Sequence, residues 1–403
     1  MNKLRVGITR DILDSRGEPA FGRRALAILD GAPDLEWEYL PEVVREITPD
    51  HAARYDAIYV NMARTPASAV ARDDRRLRVV ARHGVGYDSV DVPAMTKAGV
   101  LVTNTPAAMP RPVATVALTF VLALAGKLML KDRLTRTGRW DERMDNMGIG
   151  LTGRTLGVVG AGRIGKEILR MARVFDLRLL AADPGVNDVE LAYVGARKVD
   201  HDTLYAESDF VVAIPLLDER THHLVGAAAF AKMKPSAYFI NVSRGPVVDE
   251  AALIEALRTK KIAGAALDVF EREPVDPANP LLAMDNVIVT PHSLCWTDEC
   301  FHNMASIGLK SVVDALSGRT PEFVVNREVL SHPRVASWLR GLSASPSRWP
   351  RRSRSARPRS TCRATAAREA SRPRTRSRRS SARSRSASRR SRPTPASRRT
   401  ASS

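Results

Sequence analysis

Thr155-Leu156-Gly157-Val158-Val159-Gly160-Ala161-Gly162-Arg163-Ile164-Gly165 decides how this chain is read. A short apolar strand runs into G-x-G-x-x-G, and an amphipathic helix follows through Val174. A second strand, Arg178 to Ala182, then delivers Asp183 eighteen residues after the last glycine. Gly160 permits the tight turn, Gly162 lets the backbone approach a pyrophosphate, and Gly165 lets the helix pack closely on the strand. Arg163 and Ile164 open the helix whose free N–H groups face the phosphates. Asp183 can accept hydrogen bonds from an adenosine ribose, and its charge repels a 2′-phosphate. Strand, glycine triplet, helix, strand and acid in this order mark an NAD site far better than the triplet alone.

The motif arrives late. Before it, Leu4 to Thr9, Trp37 to Leu40, Ala57 to Val60, Val79 to Ala81 and Val100 to Thr103 read as β-branched-rich strands separated by helix-length segments. After it, Phe210 to Ile214, Ala237 to Val242, Ile262 to Leu267 and Val287 to Thr290 read the same way. Such alternation predicts an α/β protein with two doubly wound parallel sheets. One long helix from Pro112 to about Arg133 and another from Thr297 to Leu316 are expected to carry the chain across and back. The expectation is a Rossmann cofactor domain at 105–294 inserted into a flavodoxin-like substrate domain formed by 1–104 and 295–330, with the ligand in the cleft between them.

The formal charge of +19 is misleading until it is located. Residues 341–403 hold 20 arginines, no lysine and one acid, Glu369, whereas residues 1–340 carry 43 basic and 43 acidic side chains. The folded body is therefore neutral, and its partners are not set by bulk charge. Residues 343–403, rich in Arg, Ser, Ala, Pro and Thr, are expected to be a disordered basic tail. Two readings fit that tail: an arm that binds nucleic acid through phosphates, or a GC-rich segment translated out of frame. The second is preferred, because Trp349 is the tail's only aromatic residue and none is interleaved among the arginines for base stacking. Three cysteines, Cys295, Cys300 and Cys362, form no disulfide framework and point to a reducing, cytoplasmic compartment. The longest apolar run, Val113 to Gly126, is too short for a membrane span and suits a buried or subunit-interface helix.

Three further segments end in chemistry. Ile240-Asn241-Val242-Ser243-Arg244 presents an arginine, Leu267-Asp268-Val269-Phe270-Glu271-Arg272-Glu273 an acidic loop, and Val287 to His292 a histidine. In a doubly wound sheet, ligands sit beyond the carboxyl ends of the strands, where all three fall. Arg244 can clamp a carboxylate and steady a developing negative oxygen. His292 can exchange the proton that accompanies hydride transfer. Glu273, hydrogen-bonded to that imidazole, would orient it and raise its pKa. The set His292, Cys295, Cys300 and His302 is not assigned to a metal, because residues 297–316 read as a helix and lack a closed zinc-site pattern.

With these segments, Gly84-Val85-Gly86-Tyr87-Asp88-Ser89-Val90-Asp91 and Asn104-Thr105-Pro106, residues 4–330 resemble the D-isomer-specific 2-hydroxyacid dehydrogenases. That family includes D-3-phosphoglycerate dehydrogenase, D-lactate dehydrogenase and glyoxylate/hydroxypyruvate reductase. The resemblance implies the inserted domain order, Arg244, Glu273 and His292 as the catalytic set, NAD as cofactor, a small 2-hydroxy or 2-oxo acid as substrate, and a homodimer. It further implies that the Gly84–Tyr87 loop, with Val85 and Gly86, offers backbone N–H groups to the substrate carboxylate. Asp268 would face the nicotinamide amide, while Val85, Ile214, Val242 and Ser243 would line the cofactor cleft. The chain departs from the family after His292, where small residues are common and Ser293-Leu294-Cys295-Trp296 stands instead. The bulk of Trp296 points to a small substrate site. A dinucleotide-sensing corepressor using the basic tail is the alternative from another class, and the complete catalytic set argues against it.

Overall fold

The computed structural model describes residues 3–339; the basic tail lies outside the described residues. Its strands form two separate, wholly parallel sheets. In the first, β1 (Leu4–Ile8), β2 (Leu35–Tyr39), β3 (Ala57–Val60), β4 (Val79–Arg82) and β5 (Leu101–Thr103) lie in the order β2-β1-β3-β4-β5. This is the flavodoxin-like arrangement. In the second, β6 (Thr155–Val159), β7 (Arg178–Ala182), β8 (Arg197–Lys198), β9 (Phe210–Ala213), β10 (Tyr238–Asn241), β11 (Gly264–Leu267) and β12 (Val287–Val289) lie in the order β12-β11-β10-β9-β6-β7-β8. That is the dinucleotide-binding order with one added edge strand, and its direction reverses between β6 and β9.

The central strands are near-continuous apolar runs, such as Phe210-Val211-Val212-Ala213, buried on both faces as parallel sheets require. The helix Asp298–Leu316 returns to the first sheet, where Phe301, Met304, Leu309 and Val312 join the core around Tyr59, Val79 and Ala81. Beyond it, Val324 bridges antiparallel to Thr103, and the Asn326 side chain accepts from Val102 N–H and donates to the Val100 carbonyl. The helix Pro110–Gly126 packs instead into the core of the second sheet, beside Ile168, Leu169 and Ala172 of the helix Arg163–Ala172.

One expected element divides. The single helix over 112–133 is two, Pro110–Gly126 and Leu128–Arg136, bent by 55° at Lys127 in the left-handed region (φ 51°). The bend coincides with a contact from far along the chain. Ile149 N–H donates to the Ala125 carbonyl at 2.8 Å, taking an acceptor at the end of the first helix. Among the described residues no single helix is long and apolar enough to cross a membrane.

Candidate active site at the lobe cleft

The fingerprint loop shows why each glycine is there. Gly160 is left-handed (φ 90°), and a Cβ on it would stand 2.7 Å from Pro215 N. A Cβ on Gly165 would overlap the Gly160 carbonyl oxygen, so helix and strand touch backbone to backbone. Gly162, the N-cap of the helix Arg163–Ala172, has no atom within 4 Å of its Cβ position and makes no side-chain cap bond. That open, donor-rich space is shaped for a pyrophosphate rather than for protein. Asp183, at the end of β7, accepts from Ala161 N–H and Gly185 N–H at 2.7 Å each. It therefore braces the loop while keeping lone pairs for a ribose hydroxyl. Ile214, Val242 and Ser243 follow β9 and β10 beside the reversal point, and Ser243 Oγ donates to the Pro215 carbonyl at 2.9 Å. The residues present fit a dinucleotide.

Arg244 is held by its own turn. The Asn241 side chain accepts from Ser243 N–H (3.1 Å) and donates to the Arg244 carbonyl (3.0 Å). The guanidinium donates from Nη1 to the Ser243 carbonyl (2.8 Å) and from Nε to Asp88 Oδ1 (3.3 Å). Nη2 takes no protein acceptor and lies over Gly86, where a Cβ would overlap it. Burial would raise the Asp88 carboxyl, but the charge and hydrogen bond of Arg244 outweigh it and hold its pKa below the ordinary value. Nη2 is the guanidinium nitrogen left without a protein partner.

The facing loop is equally ordered. Asn104 Nδ2 donates to the Val85 carbonyl (2.8 Å), while Thr105 N–H donates to the Gly84 carbonyl (2.9 Å). Gly84 differs from the expectation that it offers a donor to substrate. Its N–H already donates to Thr105 Oγ1 at 3.0 Å, so its part is the left-handed turn (φ 130°). The N–H groups of Val85, Gly86 and Tyr87 take no protein acceptor, and Gly86 lies against Arg244 Nη2.

His292 follows β12 in the left-handed region (φ 54°), a conformation that histidine tolerates better than most residues. Its Nδ1 meets Glu273 Oε2 at 2.7 Å, and Glu273 Oε1 accepts from Phe270 N–H at 3.0 Å. Burial alone would raise the Glu273 carboxyl; the hydrogen bond and charge of His292, with smaller help from Phe270 N–H and Arg244, bring its pKa below the ordinary value. Asp268, 5% exposed, accepts at Oδ1 from Thr290 Oγ1 (2.6 Å), Ser293 N–H (3.1 Å) and Leu294 N–H (3.3 Å). It fixes the loop carrying His292, a task sequence reading missed, and Oδ2 takes no protein hydrogen bond.

The fold and the fingerprint have counterparts in known proteins. Residues 118–293 match the family model described as "D-isomer specific 2-hydroxyacid dehydrogenase, NAD binding domain". A glyoxylate reductase of Korarchaeum cryptofilum is 35% identical, the match covering 81% of this chain and 97% of the relative. The chain belongs to the D-isomer specific 2-hydroxyacid dehydrogenases. A D-3-phosphoglycerate dehydrogenase of Archaeoglobus fulgidus is 38% identical over 71% of this chain, but the match spans only 53% of that relative. The crystal structure of D-lactate dehydrogenase with NAD+ from Lactobacillus jensenii superimposes with a TM-score of 0.66 at 28% identity, covering 80% of this chain and all of the other. Membership in these dehydrogenases makes the chain an NAD-dependent oxidoreductase, with the fingerprint in its NAD-binding domain.

Proposed function

We propose that this dehydrogenase interconverts a D-2-hydroxy acid and its 2-oxo acid, with residues 105–294 holding NAD and residues 1–104 and 295–330 supplying the carboxylate loop. The observation that carries the reading is the His292–Glu273 pair at 2.7 Å, on the same cleft as a guanidinium nitrogen and three free backbone N–H groups. NAD, when bound by Gly160 to Gly165, Asp183 and the β9 and β10 loops, supplies the hydride-transfer chemistry. The substrate carboxylate is taken by the N–H groups of Val85, Gly86 and Tyr87 and by Arg244 Nη2. Because Glu273 is an ionised acceptor, Nδ1 of His292 is the donor, and Nε2 is left to exchange a proton with the substrate oxygen. Glu273 keeps the ring oriented, and Arg244 supports negative charge as it builds on that oxygen.

The test is NADH oxidation by purified protein with glyoxylate and hydroxypyruvate, alongside His292→Asn. Turnover that falls by about 10²- to 10⁴-fold in the variant, with NADH still bound, is the expected outcome. A variant that turns over like the parent would remove His292 from the mechanism.

Leu128, Met129, Trp140, Met144 and Met147 are large exposed apolar side chains along one stretch of the chain. We assign them to a homodimer contact, since monomers rarely leave such patches open. Light scattering should report twice the chain mass, and Leu128→Asp with Met129→Asp should halve it. The cytoplasmic placement rests on the unpaired thiols Cys295 and Cys300, which suit a reducing compartment.

A further inference from the structure

Glu273 sits on a loop with no regular structure of its own. Between β11 and the short helical turn Pro280–Ala283 the chain forms neither helix nor strand. Yet Glu273 meets His292 at hydrogen-bond distance, so something outside the loop fixes its path.

The anchor is one peptide unit, the one joining Phe270 to Glu271. Its carbonyl oxygen lies against Gly245, where a Cβ would overlap it. Its N–H donates to Glu250 Oε2 at 3.1 Å. The neighbouring N–H, that of Phe270, donates to Glu273 Oε1 at 3.0 Å. Consecutive amides thus serve two carboxylates, one beside the imidazole and one outside the proposed catalytic set. Glu250 spends its second oxygen at the far end of the same loop. Oε1 accepts from Asn279 Nδ2 at 2.7 Å, and Asn279 Oδ1 accepts from Leu281 N–H at 3.0 Å, capping the turn that follows. The segment carrying Glu273 is pinned on either side by one side chain.

Glu250 is in turn fixed relative to Arg244. It opens the helix Glu250–Arg258 behind the N-cap Asp249, whose side chain accepts from Ala252 N–H at 2.9 Å. The turn Gly245–Val247 connects it to Arg244, and Val247 N–H donates to the Arg244 carbonyl at 3.2 Å. A carboxylate in the first turn of a helix is favoured by the helix dipole, so Glu250 accepts as an anion. His223 adds a second tie. Its N–H donates to the Pro246 carbonyl at 2.8 Å, and its Nε2 meets the Glu271 carboxylate.

We infer that Glu250 is a positioning residue for the acid–base pair. By holding both ends of the loop it sets Glu273 at His292 and keeps that pair in register with Arg244. It acts through Glu273 and not on the substrate. The inference rests on the oxidoreductase reading of the site.

The test is a double-mutant cycle in the full chain, reading NADH-dependent reduction of whichever of glyoxylate and hydroxypyruvate the parent turns over. Glu250→Ala should lower kcat about tenfold, because a small displacement of a positioned group is enough for that. KM and the Kd for NADH should stay within about twofold. Glu250→Gln, which keeps one of the two acceptors, should recover part of the loss. In the Glu273→Ala background, Glu250→Ala should lower kcat by less than about twofold, since the group it positions is already gone.

A merely structural role would cost the same in both backgrounds, and equal costs overturn the inference. An unchanged kcat in Glu250→Ala does so too. If thermal melts show that Glu250→Ala does not fold, the cycle run with Glu250→Gln decides by the same criterion. If the parent reduces neither acid while NADH binds, the oxidoreductase reading falls, and the inference falls with it.

Discussion

Glu273 is the carboxylate of the proposed acid–base pair, with Oε2 at 2.7 Å from His292 Nδ1. Its carboxyl titrates below the ordinary value because His292 and Phe270 N–H favour the charged form over the opposing effect of burial. A depressed carboxylate pKa adds stability above the unfolded-state value, and that stability is lost as pH falls through the folded value. Glu273→Gln should therefore be less stable than the parent at neutral pH, by no more than about 1 kcal/mol because the pair is about one-third exposed. The difference should shrink below the ordinary carboxylate range. Urea titrations at neutral and acid pH check this, and a difference that grows on acidification would contradict the assigned charge state. The sequence placed Glu273 and His292 at strand ends, so their meeting was readable. The left-handed φ of His292, and the three bonds by which Asp268 holds its loop, were not. Both depend on where β11 and β12 end in space.

At the scale of elements, the fingerprint was legible because its demands are local. A strand, a tight turn and a helix must meet backbone to backbone, and only glycine allows it. Two substitutions separate packing from binding. Gly165→Ala sets a methyl against the Gly160 carbonyl oxygen, so it should cost about 1–3 kcal/mol of stability and weaken NADH binding. Gly162→Ala has open space for its methyl; it should melt close to the parent yet lose most NADH affinity, because that space is the ligand's. Thermal melts and NADH fluorescence titrations read the two effects apart. If Gly162→Ala bound NADH normally, the open space would not be the phosphate site. The bend at Lys127 escaped the sequence for the opposite reason. The apolar pattern runs on through Leu128 to Leu130, and the interruption coincides with Ile149, some twenty residues later, bonding to Ala125.

Across the whole molecule, the site exists only where the two sheets' loops meet. The ion pair between Arg244 and Asp88 joins residues 156 positions apart, one after β10 and the other after β4. Asp88→Asn keeps an acceptor but removes the charge that aligns the guanidinium. It should raise KM for the 2-oxo acid about fivefold, with kcat within about twofold, as expected for roughly 1 kcal/mol of carboxylate binding. Steady-state kinetics decide it: an unchanged KM with a lowered kcat would mean that Asp88 does not orient Arg244 for binding.

By itself the sequence determined two parallel α/β sheets, a nucleotide loop, and an arginine, a glutamate and a histidine at strand ends. Strand periodicity, turn chemistry and glycine sterics act over a few residues, so they can be read along the chain. Tertiary structure alone decided which nitrogen of Arg244 stays free, that the Gly84 N–H bonds Thr105, and that Trp296 meets Phe301, which in turn meets His83. Those outcomes depend on hydrogen-bond partners and ring contacts from distant segments. No local pattern encodes them, because each donor or ring takes whichever partner the packed sheets bring within reach.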